Sequence, residues 1–179
     1  MTMRITRGAA AATAIGLAAT APVLVEMAPA AHAVGLDQVC TLSEVVTYSP
    51  PLTTSPQTVT FTVSGQLFNC TSSSAPTGYY AESGTASGAT CTSVLSAGSG
   101  TRVFHWNNSA LAPSTFSYNR VVSRVNGNIV VTALGAITSG TFTPDPTKSV
   151  GTGLEPDLTA CGTTGVSQLT DVGTVTIGL

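Results

Sequence analysis

Charge is scarce in this chain, with only 8% of its 179 residues being Asp, Glu, Lys or Arg. Beyond residue 33 the cations are Arg102, Arg120, Arg124 and Lys148. They stand against Asp37, Glu44, Glu82, Asp145, Glu155, Asp157 and Asp171, a net charge of minus three. So few cations cannot neutralise a run of phosphates, which argues against nucleic acid as a partner and equally against anionic membrane surfaces. Histidine is reduced to His105 past the same point. A serine triad would therefore have a single candidate base, and no serine lies in a G-x-S-x-G elbow. A zinc site would need all four thiolates from distant positions. A phosphate cradle is missing too, because Gly98-Ser99-Gly100 and Gly151-Thr152-Gly153 lack the remaining spacing and read as turns. No metal or cofactor is expected. Runs with apolar residues at helical spacing are absent as well, so no helix is expected.

The first 33 residues read as an export signal. Arg4 and Arg7 form a positive start, an Ala-rich apolar run follows to about Val25, and Ala31-His32-Ala33 supplies the small-x-small pattern for cleavage. Pro22 and Glu26 leave that run too short and too broken for a membrane span, so no membrane anchor is expected. The mature chain, Val34 to Leu179, is 146 residues, the size of one domain. Its localisation is read as secreted and extracellular.

Four cysteines remain in the mature chain, Cys40, Cys70, Cys91 and Cys161. An even number in an exported protein reads as two disulfides. Cys40 and Cys70 bracket the first two strands, which favours Cys40 with Cys70 and Cys91 with Cys161.

What is abundant is Thr, Ser, Val, Gly and Ala, arranged as about eight short strands bounded by Gly, Pro, Ser or Asn. Val59, Phe61 and Val63 alternate with Thr58, Thr60, Thr62 and Ser64, the pattern of an antiparallel strand buried on one side. Cys40, Leu42, Val46 and Tyr48 share a parity before Pro50-Pro51, and Val175, Ile177 and Leu179 make the C-terminus a core strand. Segments Thr71 to Pro76, Ser96 to Gly100 and Pro144 to Gly153 read as loops. The fold class expected is all-β, a single antiparallel β-sandwich of the immunoglobulin-like kind.

The best hairpin signal runs from Phe116 through Asn126-Gly127-Asn128 to Gly135. A three-residue loop pairs Val125 with Ile129 and keeps Val121 and Val125 on one apolar face, with Asn128 left-handed. That register sets Phe116, Tyr118, Arg120 and Arg124 together on the opposite face. Either a bulge near Asn119 turns the aromatics inward, or all four form an outer surface able to bind a glycan or a protein. These four are the candidate binding residues.

Other constellations are weaker. Arg102-Val103-Phe104-His105-Trp106 alternates as a strand, with Phe104 and Trp106 inward and His105 toward solvent. Glu155 and Asp157, the close carboxylate pair, flank Pro156 in a loop where nothing raises a pKa for acid catalysis. With Asp145 they lack the cadence of a calcium loop. No catalytic residue is assigned.

Tyr48-Ser49-Pro50-Pro51-Leu52 after the first cysteine, and Gly135-Ala136-Ile137-Thr138-Ser139-Gly140-Thr141-Phe142 later, resemble small exported actinomycete proteins of unassigned function. That resemblance implies structure and transfers no active residue. Low charge and two bridges are also similar to the apoproteins that carry enediyne chromophores. Those keep both bridges over short spans, whereas Cys91 and Cys161 are far apart. The expected role is a secreted, non-catalytic module that binds an unknown extracellular protein or glycan or serves structurally. The alternatives are a carbohydrate-binding domain, an enzyme inhibitor and, third, a hydrolase.

Overall fold

The computed structural model describes residues 35–93 and 96–178, so the expected leader lies outside the described residues, as does Leu179. Eight strands follow in order: β1 (Gln38–Leu52), β2 (Gln57–Phe68), β3 (Gly78–Ala89), β4 (Gly98–Trp106), β5 (Ser114–Val125), β6 (Asn128–Ser139), β7 (Pro146–Leu154) and β8 (Val166–Ile177). Each is antiparallel to the next, and β8 returns to pair with β1 in a closed barrel.

The barrel corrects the expected sandwich. β1 decides the matter, because Thr41 to Ser49 pair with β2 on one side while Gln38 to Thr47 pair with β8 on the other. No β1 edge is left over from which a second sheet could begin. Alternation with period two is common to sandwiches and barrels, since either buries one face of each strand.

The inner face carries the expected apolar residues. Leu42, Val63, Leu67, Tyr80, Phe104, Trp106, Phe116, Ile137, Val175 and Ile177 pack one end of the barrel. Phe104 is the centre of an aromatic group, stacked on Phe116 at 5.8 Å and edge-on to Tyr80 at 5.7 Å. Trp106 fills the same core and donates its Nε1–H to Ser114 Oγ at 2.9 Å. A smaller cluster of Leu52, Val59, Ala89 and Val166 gathers around the Cys91–Cys161 bridge at the other end. Both expected disulfides are present, Cys40–Cys70 and Cys91–Cys161, with no free cysteine.

Large inward rings fit because inward glycines oppose them. Gly65 on β2 pairs with Tyr80 on β3, and a methyl group there would lie 2.0 Å from Tyr80 Cζ. The ring therefore lies flat across the neighbouring strand. Tyr118 uses Gly100 in the same way.

Three local readings are corrected. Val125 pairs with Asn128, so the hairpin loop is the two residues Asn126 and Gly127, both left-handed at φ 51° and 77°. Val121 and Val125 consequently face out, at 53% and 51% exposure. The three-residue register would bury these valines, whereas Arg120 and Val122 take the inward positions at their level. The segment 144–153 is largely β7, and β4 already begins at Gly98. Both read as loops in the sequence because their inward positions are small, which is what crowded facing side chains require. One short helix, α1 (Leu158–Gly162), forms behind Asp157, whose Oδ1 accepts from Thr159 N at 2.8 Å.

Substituting Gly65→Ala should destabilise the fold by about 1–3 kcal/mol, because Tyr80 must leave its seat. Urea denaturation measures this directly, and an unchanged midpoint would show that the ring is free to move.

Candidate functional site

Between the two apolar ends, the middle of the barrel holds ionisable side chains at inward positions. Strand β1 contributes Glu44, β3 Glu82, β4 Arg102, β5 Tyr118 and Arg120, and β8 Asp171. Each keeps the parity of apolar neighbours: Glu44 follows Leu42, Arg102 precedes Phe104, and Asp171 precedes Val175 on the same faces. The pleat carries these charges inward whether or not the interior favours them.

Arg102 organises the group. It is 9% exposed and donates from Nη2 to Glu44 Oε2 at 3.1 Å and from Nε to Glu82. Its guanidinium lies over the Tyr80 ring, 3.8 Å from the centroid, and 5.6 Å from that of Tyr118. Tyr80 in turn donates its hydroxyl to Glu44, and Tyr118 donates to Glu82 Oε2 at 3.4 Å. Burial raises the pKa of both phenols, Tyr80 far above the usual range, and the neighbouring carboxylates add to the effect. They stay protonated donors at any physiological pH.

The clamp sits where the wall parts. β3 and β4 pair only at Gly78 with Trp106 and at Tyr79 with His105. Continuing that register sets Glu82 opposite Arg102, so a side-chain ion pair takes over where the backbone ladder stops.

Asp171 lies directly across from Glu44 in the β1–β8 register. Two facing carboxylates repel, and Arg102 and Tyr80 both side with Glu44. Burial, reinforced by the Glu44 charge and only partly opposed by Arg102, pushes the Asp171 carboxyl up to about 7. Its Oδ1 is buried and meets no donor. A proton on Asp171 gives the two acids the hydrogen bond that two bare carboxylates cannot make. Gly151 provides the room, since a methyl there would lie 2.6 Å from Asp171 Oδ1.

Around these groups lies a cavity of about 720 Å³. Its apolar lining includes Val46, Phe61, Val122, Val131, Ala133 and Leu169, and Ser87, Ser99 and Thr101 line it where β3 and β4 part. Tyr48 also lines it, with its hydroxyl pushed up to about 12 by burial against the opposing charge of Arg120.

The four candidate binding residues share one parity along β5, and of them Phe116, Tyr118 and Arg120 face the interior. There is no bulge at Asn119, and the irregularity between β5 and β6 falls at Thr115 and Phe116. Phe116 is fully buried in the core, so an outer aromatic surface built on it is ruled out. Tyr118 and Arg120 line the cavity. Arg124, half-exposed, reaches Glu155 Oε1 at 3.3 Å. Sequence reasoning missed Glu44, Glu82, Arg102 and Asp171. Their signal was an inward parity shared with core residues. His105 stacks on Tyr79 at 5.1 Å on the outer wall, apart from the cavity lining.

Among the described residues no cluster of His, Cys, Asp and Glu is arranged to hold a metal ion. Comparison with protein-family models, curated proteins and solved structures found no match.

Two expectations follow. Replacing Arg102 by Met strands two largely buried carboxylates and should cost about 3 kcal/mol. A denaturation midpoint near the parent's would show that the clamp contributes little. For Asp171, the carboxyl titrates near its ordinary 3.8 when unfolded and about 7 when folded. Between these values the folded protein keeps a proton that the unfolded chain releases, so stability falls as pH rises across that window. Asp171→Asn should flatten this slope in urea melts taken from about pH 4 to 8. An unaltered slope would remove Asp171 as its source.

Proposed function

We propose that this protein is a secreted, non-catalytic binding module that holds a small molecule inside its barrel. The observation that carries this reading is the mid-barrel cavity of about 720 Å³, apolar on most of its wall and crossed by a few convergent polar groups. An eight-stranded barrel is just wide enough either to fill with side chains or to hold one small ligand. Here glycines and small residues leave the middle open, and ligand sites have this size and mixture of linings.

Export agrees with the two disulfides, which point to an oxidising environment, and no described helix is long and apolar enough to cross a membrane. The non-catalytic reading rests on the engagement of two of the three interior acids. Glu44 and Glu82 are each held by Arg102 and a tyrosine, an arrangement that fixes charge in place and does not free a base to move protons.

The neutral fluorophore N-phenyl-1-naphthylamine tests this reading without electrostatic bias. It should bind saturably at one site per chain. Ala133→Phe, which fills the cavity from β6, should weaken binding at least about tenfold, a loss of roughly 1.4 kcal/mol, while leaving the disulfides and the far-ultraviolet spectrum intact. Unsaturable binding, or equal affinity in the filled variant, would overturn the reading.

A further inference from the structure

The polar groups around the cavity divide into those the protein already uses and those it leaves open. Of the carboxylate acceptors, Glu44 and Glu82 are taken and Asp171 keeps Oδ1 unpartnered beside Glu44. Glu44 receives Arg102 and Tyr80, and Glu82 receives Arg102 and Tyr118. The donors are open. Arg120 makes no salt bridge among the described residues, its Nε is buried without a partner, and its Nη2 reaches only the Ser96 carbonyl at 3.4 Å. Tyr48 lines the same cavity within the field of Arg120, and among the described residues its hydroxyl has no protein acceptor.

The charges point the same way. Arg102 and Arg120 balance Glu44 and Glu82, leaving the interior neutral when Asp171 holds its proton. Arg102 has spent its charge on two carboxylates within contact distance, whereas the Arg120 charge has no such partner. A buried guanidinium nitrogen with no acceptor is costly, and an entering anion removes that cost. An ammonium group would find Glu44 and Glu82 occupied and Arg120 repelling it.

We propose that the cavity takes an amphiphilic carboxylate, its head group on Arg120 and Tyr48 and its apolar body against Val46, Phe61, Val122, Val131 and Leu169. The inference rests on the reading of the barrel as a small-molecule binder and adds the ligand's chemistry to it. One guanidinium and one hydroxyl suit a monoanion, and the aliphatic and aromatic wall suits an alkyl or aryl body.

Asp171 tunes this site. Glu44 faces it from β1, Tyr48 on β1 and Tyr80 on β3 lie within its field, Arg102 acts on it from β4, and β7 presents Gly151 and Gly153 beside it. Its burial and the Glu44 charge hold the proton on to about neutral pH. Above that, ionisation adds a negative charge to a cavity built to receive one, so carboxylate affinity falls as pH rises.

Isothermal titration with decanoate, decanol and decylamine separates the outcomes. Between about pH 6 and 8 the probes keep constant charge, so any change belongs to the protein. Decanoate should bind at least about tenfold tighter than either analogue, with affinity falling across that range. Arg120→Gln should bring decanoate down to decanol while leaving decanol unchanged, and Asp171→Asn should remove the pH dependence. Equal binding of all three overturns the carboxylate assignment and leaves the cavity reading standing. Tighter decylamine binding, growing with pH and lost in Asp171→Asn, reverses the assigned charge. Failure of all three probes, together with the neutral fluorophore, overturns both readings.

Discussion

A guanidinium buried in a barrel must be surrounded before the barrel can close, and the arrangement around Arg102 meets that requirement. It ties β4 to β1 through Glu44 and to β3 through Glu82, with the Tyr80 ring beneath. The position of nearly every other polar group in the interior follows from this choice of partners. Because Glu44 belongs to Arg102 and Tyr80, Asp171 holds its proton up to about neutral pH. Because Glu82 belongs to Arg102, Tyr118 lies across the neighbouring strand to reach it, and Gly100 must lack a side chain to let it. Buried ion networks seldom add net stability over apolar packing. Here the network gives the middle of the barrel a fixed shape without filling it.

The emptiness of that middle has a simple origin. A closed sheet of eight strands has a set circumference, and its interior is filled or left open according to the residues at inward positions. Toward one end these are Phe104, Trp106, Phe116 and Ile137. At the cavity they include Ala86, Gly100, Ala133, Ser149 and Gly151. The same small residues that admit crowded rings and charges on facing strands also leave space beside them.

Much of the fold was legible. Alternation in Val59, Phe61 and Val63, the partnering of the cysteines and the inward parity of Phe104 and Trp106 all rest on period two and on chain proximity, which are local properties. Closure was not legible, because alternation reports which face is buried and says nothing of how the first and last strands meet. The hairpin went astray over burial. Treating Val121 and Val125 as core residues imposed a register that Asn126 and Gly127, both suited to left-handed backbone, contradict. The inward charges are hard to find in the sequence for a related reason. Glu44 stands in step with Cys40, Leu42, Val46 and Tyr48, yet charged residues are assigned to solvent by habit. Consistent parity was the better guide.

The parting of β3 and β4 also bears on how the closed sheet behaves as a mechanical object. A barrel with a complete ladder has no end and resists opening everywhere alike, whereas this one has a seam with only two registered pairs. Past that point the two strands share no registered backbone ladder, and Gly84, Gly88 and Gly98 have no side chains to stiffen them. The barrel is thus a ribbon of strands rolled until its margins touch, fastened there by an ion pair. The seam runs beside the cavity, so the wall there is joined by side chains where the packed aromatic end is joined by backbone.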